Sequence, residues 1–215
     1  MIKSISSVVA IVIMAVFVSG TVTPSIWFNA DQKLEQAAEF ALRDDFSSAI
    51  RLATEVIDRQ PSHAMAYMLR GTALRRCGEY SQAIADIDLA IELDSRNSDA
   101  YTQRAFACQQ GHFRDSNQIF ADLNRAIELD ATSSLAHILR GNEFASLDDH
   151  AAAIADYDQA LRLNPLSYAA LAARASSKLN VGQTDEARRD LHKAIELNPP
   201  AADRKQIEDL LQLVN

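Results

Sequence analysis

Two cysteines, six glycines, five prolines and a single tryptophan in 215 residues leave several chemistries without material. Cys77 and Cys108 form neither a CxxC arrangement nor a zinc-ligand spacing. They are expected as two buried free thiols rather than a disulfide, which would need Cα atoms within roughly 7 Å. The glycines supply no P-loop, no dinucleotide fingerprint and no G-x-S-x-G elbow, so phosphate cradles and serine-hydrolase turns are missing. The five histidines, His63, His112, His137, His150 and His192, never fall into HExxH, HxxxH or a Cys/His cluster. Asp148-Asp149-His150 stands in a turn, where an acidic residue caps the following helix. The expectation is therefore no catalytic site, no metal and no cofactor. Basic residues are short as well: 21 Lys and Arg stand against 29 Asp and Glu, a net charge of −8 with no basic run of five. That balance excludes a phosphate-backbone binder and, with it, nucleic acid as a partner.

What is present begins with an apolar run. Lys3 precedes eleven uninterrupted apolar residues, Val8 to Val18, followed by Ser19 and Gly20. A basic start, a short apolar core and small residues behind it describe a secretory signal peptide over residues 1–20. If Thr21 to Pro24 are tolerated, the run extends through Ile26, Trp27 and Phe28 and reaches the length of an uncleaved membrane anchor ending at residue 28. Both readings place the body of the protein in an exported compartment: periplasmic or secreted if the segment is cleaved, membrane-anchored if it is not. Apolar residues at 48% and charged residues at 23% are those of a folded soluble domain.

The body repeats. The phrase AIELD at Ala90 returns as AIELD at Ala126, ALRLN at Ala160 and AIELN at Ala194, spaced by 36, 34 and 34 residues. A fixed period in this range means stacked copies of one supersecondary unit. In the clearest copy, Ala64–Asn97, Tyr67, Gly71 and Leu74 share one helical face, and Gly78 ends that helix. Tyr80, Ala83, Ile84, Ile87, Ala90 and Ile91 line the inner face of a second helix. Small residues at Gly71, Ala83 and Ala90 let two antiparallel helices approach closely.

This pattern of small and large residues resembles the tetratricopeptide repeat, a 34-residue helix–turn–helix unit. The resemblance implies an all-α, right-handed superhelical solenoid, and projecting its frame divides residues 30–201 into five units: 30–63, 64–97, 98–133, 134–167 and 168–201. The first unit is weak, as expected of a terminal cap, and the third carries two extra residues between Cys108 and Phe120, with Ile119 in place of the small alanine. After Pro199-Pro200, residues 202–215 form a C-terminal capping helix whose Ile207, Leu210, Leu211 and Val214 make one apolar stripe.

Four units share a charged pair. Arg70, Arg104, Arg140 and Arg174 precede the small first-helix residue, and Asp86, Asp122, Asp156 and Asp190 follow 16, 18, 16 and 16 residues later. Unit one has Gln36 and Leu52 there and lacks both members. Joint absence points to a structural ion pair inside each unit rather than one bridging neighbours. An arginine row receiving acidic ligands is the alternative.

By resemblance, the first helices line a concave groove that takes a peptide or a partner helix. Its positions are Met65, Met68, Leu69, Thr72 and Arg76 in unit two, and Asp99, Thr102, Gln103, Phe106 and Gln110 in unit three. Unit four contributes Leu135, Ile138, Leu139 and Asn142, and unit five Ala169, Ala172, Ala173, Ser176 and Asn180. Met68 and Thr72 stand where some chaperone-binding relatives carry the Lys and Asn of a carboxylate clamp, which is therefore missing. The expected function is a non-catalytic scaffold or adaptor for a protein or peptide partner. A structural module that oligomerises through its terminal faces is the alternative.

Overall fold

Eleven helices follow one another in a computed structural model that describes residues 29–113 and 115–213; among those residues there is no strand. The signal or anchor segment lies outside the described residues. In order they are α1 (Ala30–Leu42), α2 (Phe46–Arg59), α3 (Ala64–Arg76), α4 (Tyr80–Leu93), α5 (Ser98–Gln110) and α6 (Ser116–Leu129). They continue as α7 (Ser134–Ser146), α8 (His150–Leu163), α9 (Tyr168–Asn180), α10 (Thr184–Glu196) and α11 (Ala201–Gln212). No helix among the described residues is long and apolar enough to cross a membrane.

Short polar residues set the helix starts. The side chains of Asn29, Asp45, Asn97, Asp115, Ser133, Asp149 and Ser167 each accept a hydrogen bond from the backbone N–H three residues on. The acid of the recurring AIELD phrase has a local role too. Asp94, Asp130 and Asn164 end their helices and accept from the N–H two residues later, which turns the chain toward the next unit.

Each of the first helices α1, α3, α5, α7 and α9 stops at a residue in the left-handed region: Asp44, Gly78, His112, Asp148 and Gly182. In α3 the N–H of Glu79 returns to the carbonyl of Leu74 at 2.9 Å and that of Gly78 to Arg75 at 3.0 Å, closing the helix end. Glycine makes this turn free of strain in two units; Asp44, His112 and Asp148 adopt it with a side chain. The α5–α6 turn spans residues 111–115 against 77–79 in the α3–α4 turn, so the two extra residues lie there.

Within a unit the two helices pack through small residues. A Cβ on Gly71 would meet Ile87 Cγ1 at 2.8 Å, and one on Gly141 would meet the Tyr157 ring at 2.6 Å. Units three and five keep alanine at this place, Ala105 and Ala175, where the opposing side chains are Leu123 and Leu191. The first helices of successive units touch one another, while second helices of successive units make no contact of comparable extent. The stack therefore curves with its first helices on the inside. At the far end α11 packs on α10: Ile207 and Leu211 are buried against Leu171, Leu191 and Ala194, and Tyr168 Oη donates to Asp203 at 2.9 Å. Leu210 is half-buried and Val214 lies outside the described residues.

Candidate functional site

The inner face carries two clefts. The larger, about 540 Å³, lies between α1 and α3, with Ala41, Leu42, Met65, Leu69 and Thr72 among its walls and Met68 on its floor. Leu42 and Met65 are exposed, Met65 by 50%. Arg76 closes one end, donating to Asp44 at 2.9 Å with its guanidinium over the Phe46 ring. The second cleft, about 330 Å³, lies between α5 and α7 and includes Phe106, Gln109, Gln110, Phe113, Asn142, Glu143 and Leu147. Its extra width sits beside the lengthened α5–α6 turn and the buried Ile119.

The expected groove residues divide. Met65, Leu69, Thr72, Arg76, Gln103, Phe106, Leu135, Ile138, Asn142 and Ser176 keep accessible surface. Thr102 and Leu139 do not: at 1% and 2% exposure they belong to the seam between neighbouring first helices. Thr102 spends its hydroxyl on the Ser98 carbonyl at 3.1 Å. Met68, at 7%, offers only a floor. These three are corrected from contact residues to packing residues, because adjacent first helices lean together over them.

Arg75 was missed by the sequence reading. It is 7% exposed, yet no carboxylate among the described residues pairs with it. Its Nε donates to Gln103 Oε1 at 3.1 Å, its Nη1 to Gln110 Oε1 at 2.6 Å, and its guanidinium lies 4.2 Å from the Phe106 ring centroid. Burial, then the charge of Arg76, lowers its pKa from the ordinary arginine value. The mirror case is Glu143, buried on α7 and accepting from Gln109 Nε2 at 3.0 Å.

The four paired arginines do more than expected. Each grips the aspartate of its own unit through Nε and Nη2, at 2.7 and 2.8 Å for Arg70–Asp86 and 2.8 and 2.6 Å for Arg104–Asp122. Arg140–Asp156 and Arg174–Asp190 repeat the fork. Each also sends Nη1 back to the preceding second helix, always to the residue 16 places earlier: Thr54, Asp88, Asn124 and Asp158. The expectation of a pair confined to one unit is thus corrected, since a five-donor guanidinium reaches both helices at once. The Asp122 hydrogen bond raises the Arg104 pKa despite burial. Asp156 takes a further bond from His137 Nδ1 at 2.9 Å, and Asp190 one from Lys178 at 2.9 Å.

Both cysteines are free. Cys77 is exposed, not buried as expected, because it is the last residue before the α3 turn; Cys108 is half-buried. Asp149 caps α8 as a turn acid should, accepting from Ala152 N–H at 3.1 Å.

Comparison with known proteins decides the family. Tetratricopeptide-repeat models match residues 33–98 and 135–165. This is a tetratricopeptide-repeat chain. It is 39% identical to the Protein SGT1 homolog of Oryza sativa subsp. japonica over 80 residues, 37% of this chain. The match spans only 22% of that curated relative's length. Among solved structures it resembles PilW, a widely conserved type IV pilus biogenesis factor, with a TM-score of 0.73 at 18% identity, covering 85% of this chain and 86% of PilW. MamA superposes with a TM-score of 0.63 at 22% identity over 78% of this chain and 91% of MamA. These likenesses establish an all-α repeat solenoid. Tetratricopeptide-repeat proteins are protein-interaction scaffolds.

Proposed function

We propose that this chain is a non-catalytic scaffold of an exported or envelope compartment that holds an extended segment of a partner protein along its first helices. The observation that carries the reading is the α1–α3 cleft, where Leu42, Met65 and Leu69 leave apolar surface open on the inside of the curve. Exposed apolar surface in a concave site, with adaptable methionines, suits a partner side chain. The apolar run Val8–Val18 behind Lys3 supports export.

The test is affinity capture by the full-length chain and by its Met65→Glu/Ile138→Glu variant. Both positions keep accessible surface, so the melting temperature should hold while captured partners are lost. Equal capture by both proteins removes the groove from the proposal. For export, the mass of the chain recovered from cells should show a start at Thr21, or an intact Met1 in the membrane fraction. An intact chain in the cytosol overturns that part.

A further inference from the structure

We infer that the groove selects its partner segment by one internal acidic side chain, seated on Arg75 between two stretches of apolar residues. The inference rests on the groove reading above and names what that groove recognises.

The first ground is charge. Arg75 stands outside the arginine ladder; the matching positions in the other units are Ala41, Gln109, Ala145 and Leu179. It is nevertheless the most buried arginine of the chain's inner face and the one without a carboxylate among the described residues. A buried guanidinium without an anion carries a desolvation cost that two glutamine oxygens and one aromatic face only partly offset. A carboxylate arriving with a ligand removes that deficit. In a chain of net charge −8, this site offers a positive seat. Arg76 does not compete for the ligand, since Asp44 already pairs with it.

The second ground is geometry. Of the five donors of Arg75, Gln103 takes Nε–H and Gln110 takes one of Nη1. The edge formed by the remaining Nη1 and Nη2 hydrogens is left for a bidentate carboxylate. The two glutamines fix the plane of the fork, so the seat is preorganised before the ligand arrives.

The third ground is position. Arg75 lines the α1–α3 cleft, and its partner Gln110 lines the α5–α7 cleft. The seat is at the junction of the two. A chain filling both clefts passes over Arg75 and continues, which calls for an acidic side chain within the segment and not a chain end. Its neighbours on one side meet Met65 and Leu69, and on the other Phe106, Phe113 and Leu147.

The test pans the full-length chain against a phage library of random dodecapeptides. Selected sequences are synthesised with acetylated and amidated ends, so that only a side chain can supply a carboxylate. Expected is one fixed Asp or Glu between apolar residues. Its change to Gln or Asn should weaken binding to the wild type by roughly 10- to 100-fold, the range of a hydrogen bond to a charged group. Against the Arg75→Gln variant the same peptide change should make no further difference. Because the first comparison alters only the peptide, it stands whether or not the variant folds. Apolar winners without a fixed acid, or a penalty that persists in Arg75→Gln, overturn the inference and leave the groove reading intact. No enriched peptide at all overturns both.

Discussion

Arg104 reaches back from the third helix pair into the second, donating through Nη1 to Asp88 at 2.7 Å. The same guanidinium holds Asp122 in its own pair, so one side chain ties three helices, α4, α5 and α6. Repetition at Arg70, Arg140 and Arg174 makes this the polar seam of the solenoid. A stack whose units touch only their neighbours depends on such interfaces for cooperativity.

Arg104→Leu should therefore destabilise the fold strongly. It leaves the buried Asp122 carboxylate with Gln118 alone, and stranding one partner of a buried pair costs about 3–5 kcal/mol. Arg76→Leu, which breaks the exposed pair with Asp44, should cost only about 0–1 kcal/mol. Thermal melts of the two variants check the contrast. Equal shifts would mean that the fork contributes nothing beyond a surface pair.

Gly141→Ala should lose stability although alanine is the better helix former. The new Cβ would sit 2.6 Å from Tyr157, and overpacking of this kind costs roughly 1–3 kcal/mol, more than the ~1 kcal/mol helix propensity returns. Adding Tyr157→Leu copies the pairing already present at Ala105–Leu123 and Ala175–Leu191. The double variant should then show a favourable coupling of roughly 0.5–3 kcal/mol by denaturant titration. Simple additivity would show that the glycine is not there to admit the ring.

The acid limb of stability should involve Asp45. Hydrogen bonds from Ser48, then Ser47, hold its carboxyl below the usual carboxylate value of 3.8. A depressed acid stabilises the fold above its ordinary pKa, and that contribution is lost as pH falls through the depressed value. Asp45→Asn keeps an N-capping oxygen but cannot titrate. The gap in melting temperature between wild type and Asp45→Asn should close on acidification from pH 6 to pH 2. A constant gap across that range contradicts the assignment.

Much of this was legible in the chain because its causes are local. The 34-residue phrase, the capping residues before each helix and the glycine after α3 act within one or two turns, and the paired Arg and Asp recur at a constant separation. The αL ends at Asp44, His112 and Asp148 gave little signal, since these residue types sit as readily in other turns. Phe144 and Phe120, ring centroids 4.7 Å apart, meet only because α6 and α7 pack across a unit boundary.

By itself the sequence determined an all-α stack of helix pairs, because each pair's small and large residues admit one close approach. Tertiary structure decided which first-helix side chains face outward. Thr102 and Leu139 vanish into the seam because neighbouring helices lean over them, an angle that no single repeat encodes. It also decided that Arg75 is enclosed by Gln103, Phe106 and Gln110, residues 28 to 35 positions later in the chain. Burial of a charge is a property of what packs around it, and here the packing comes from the next unit.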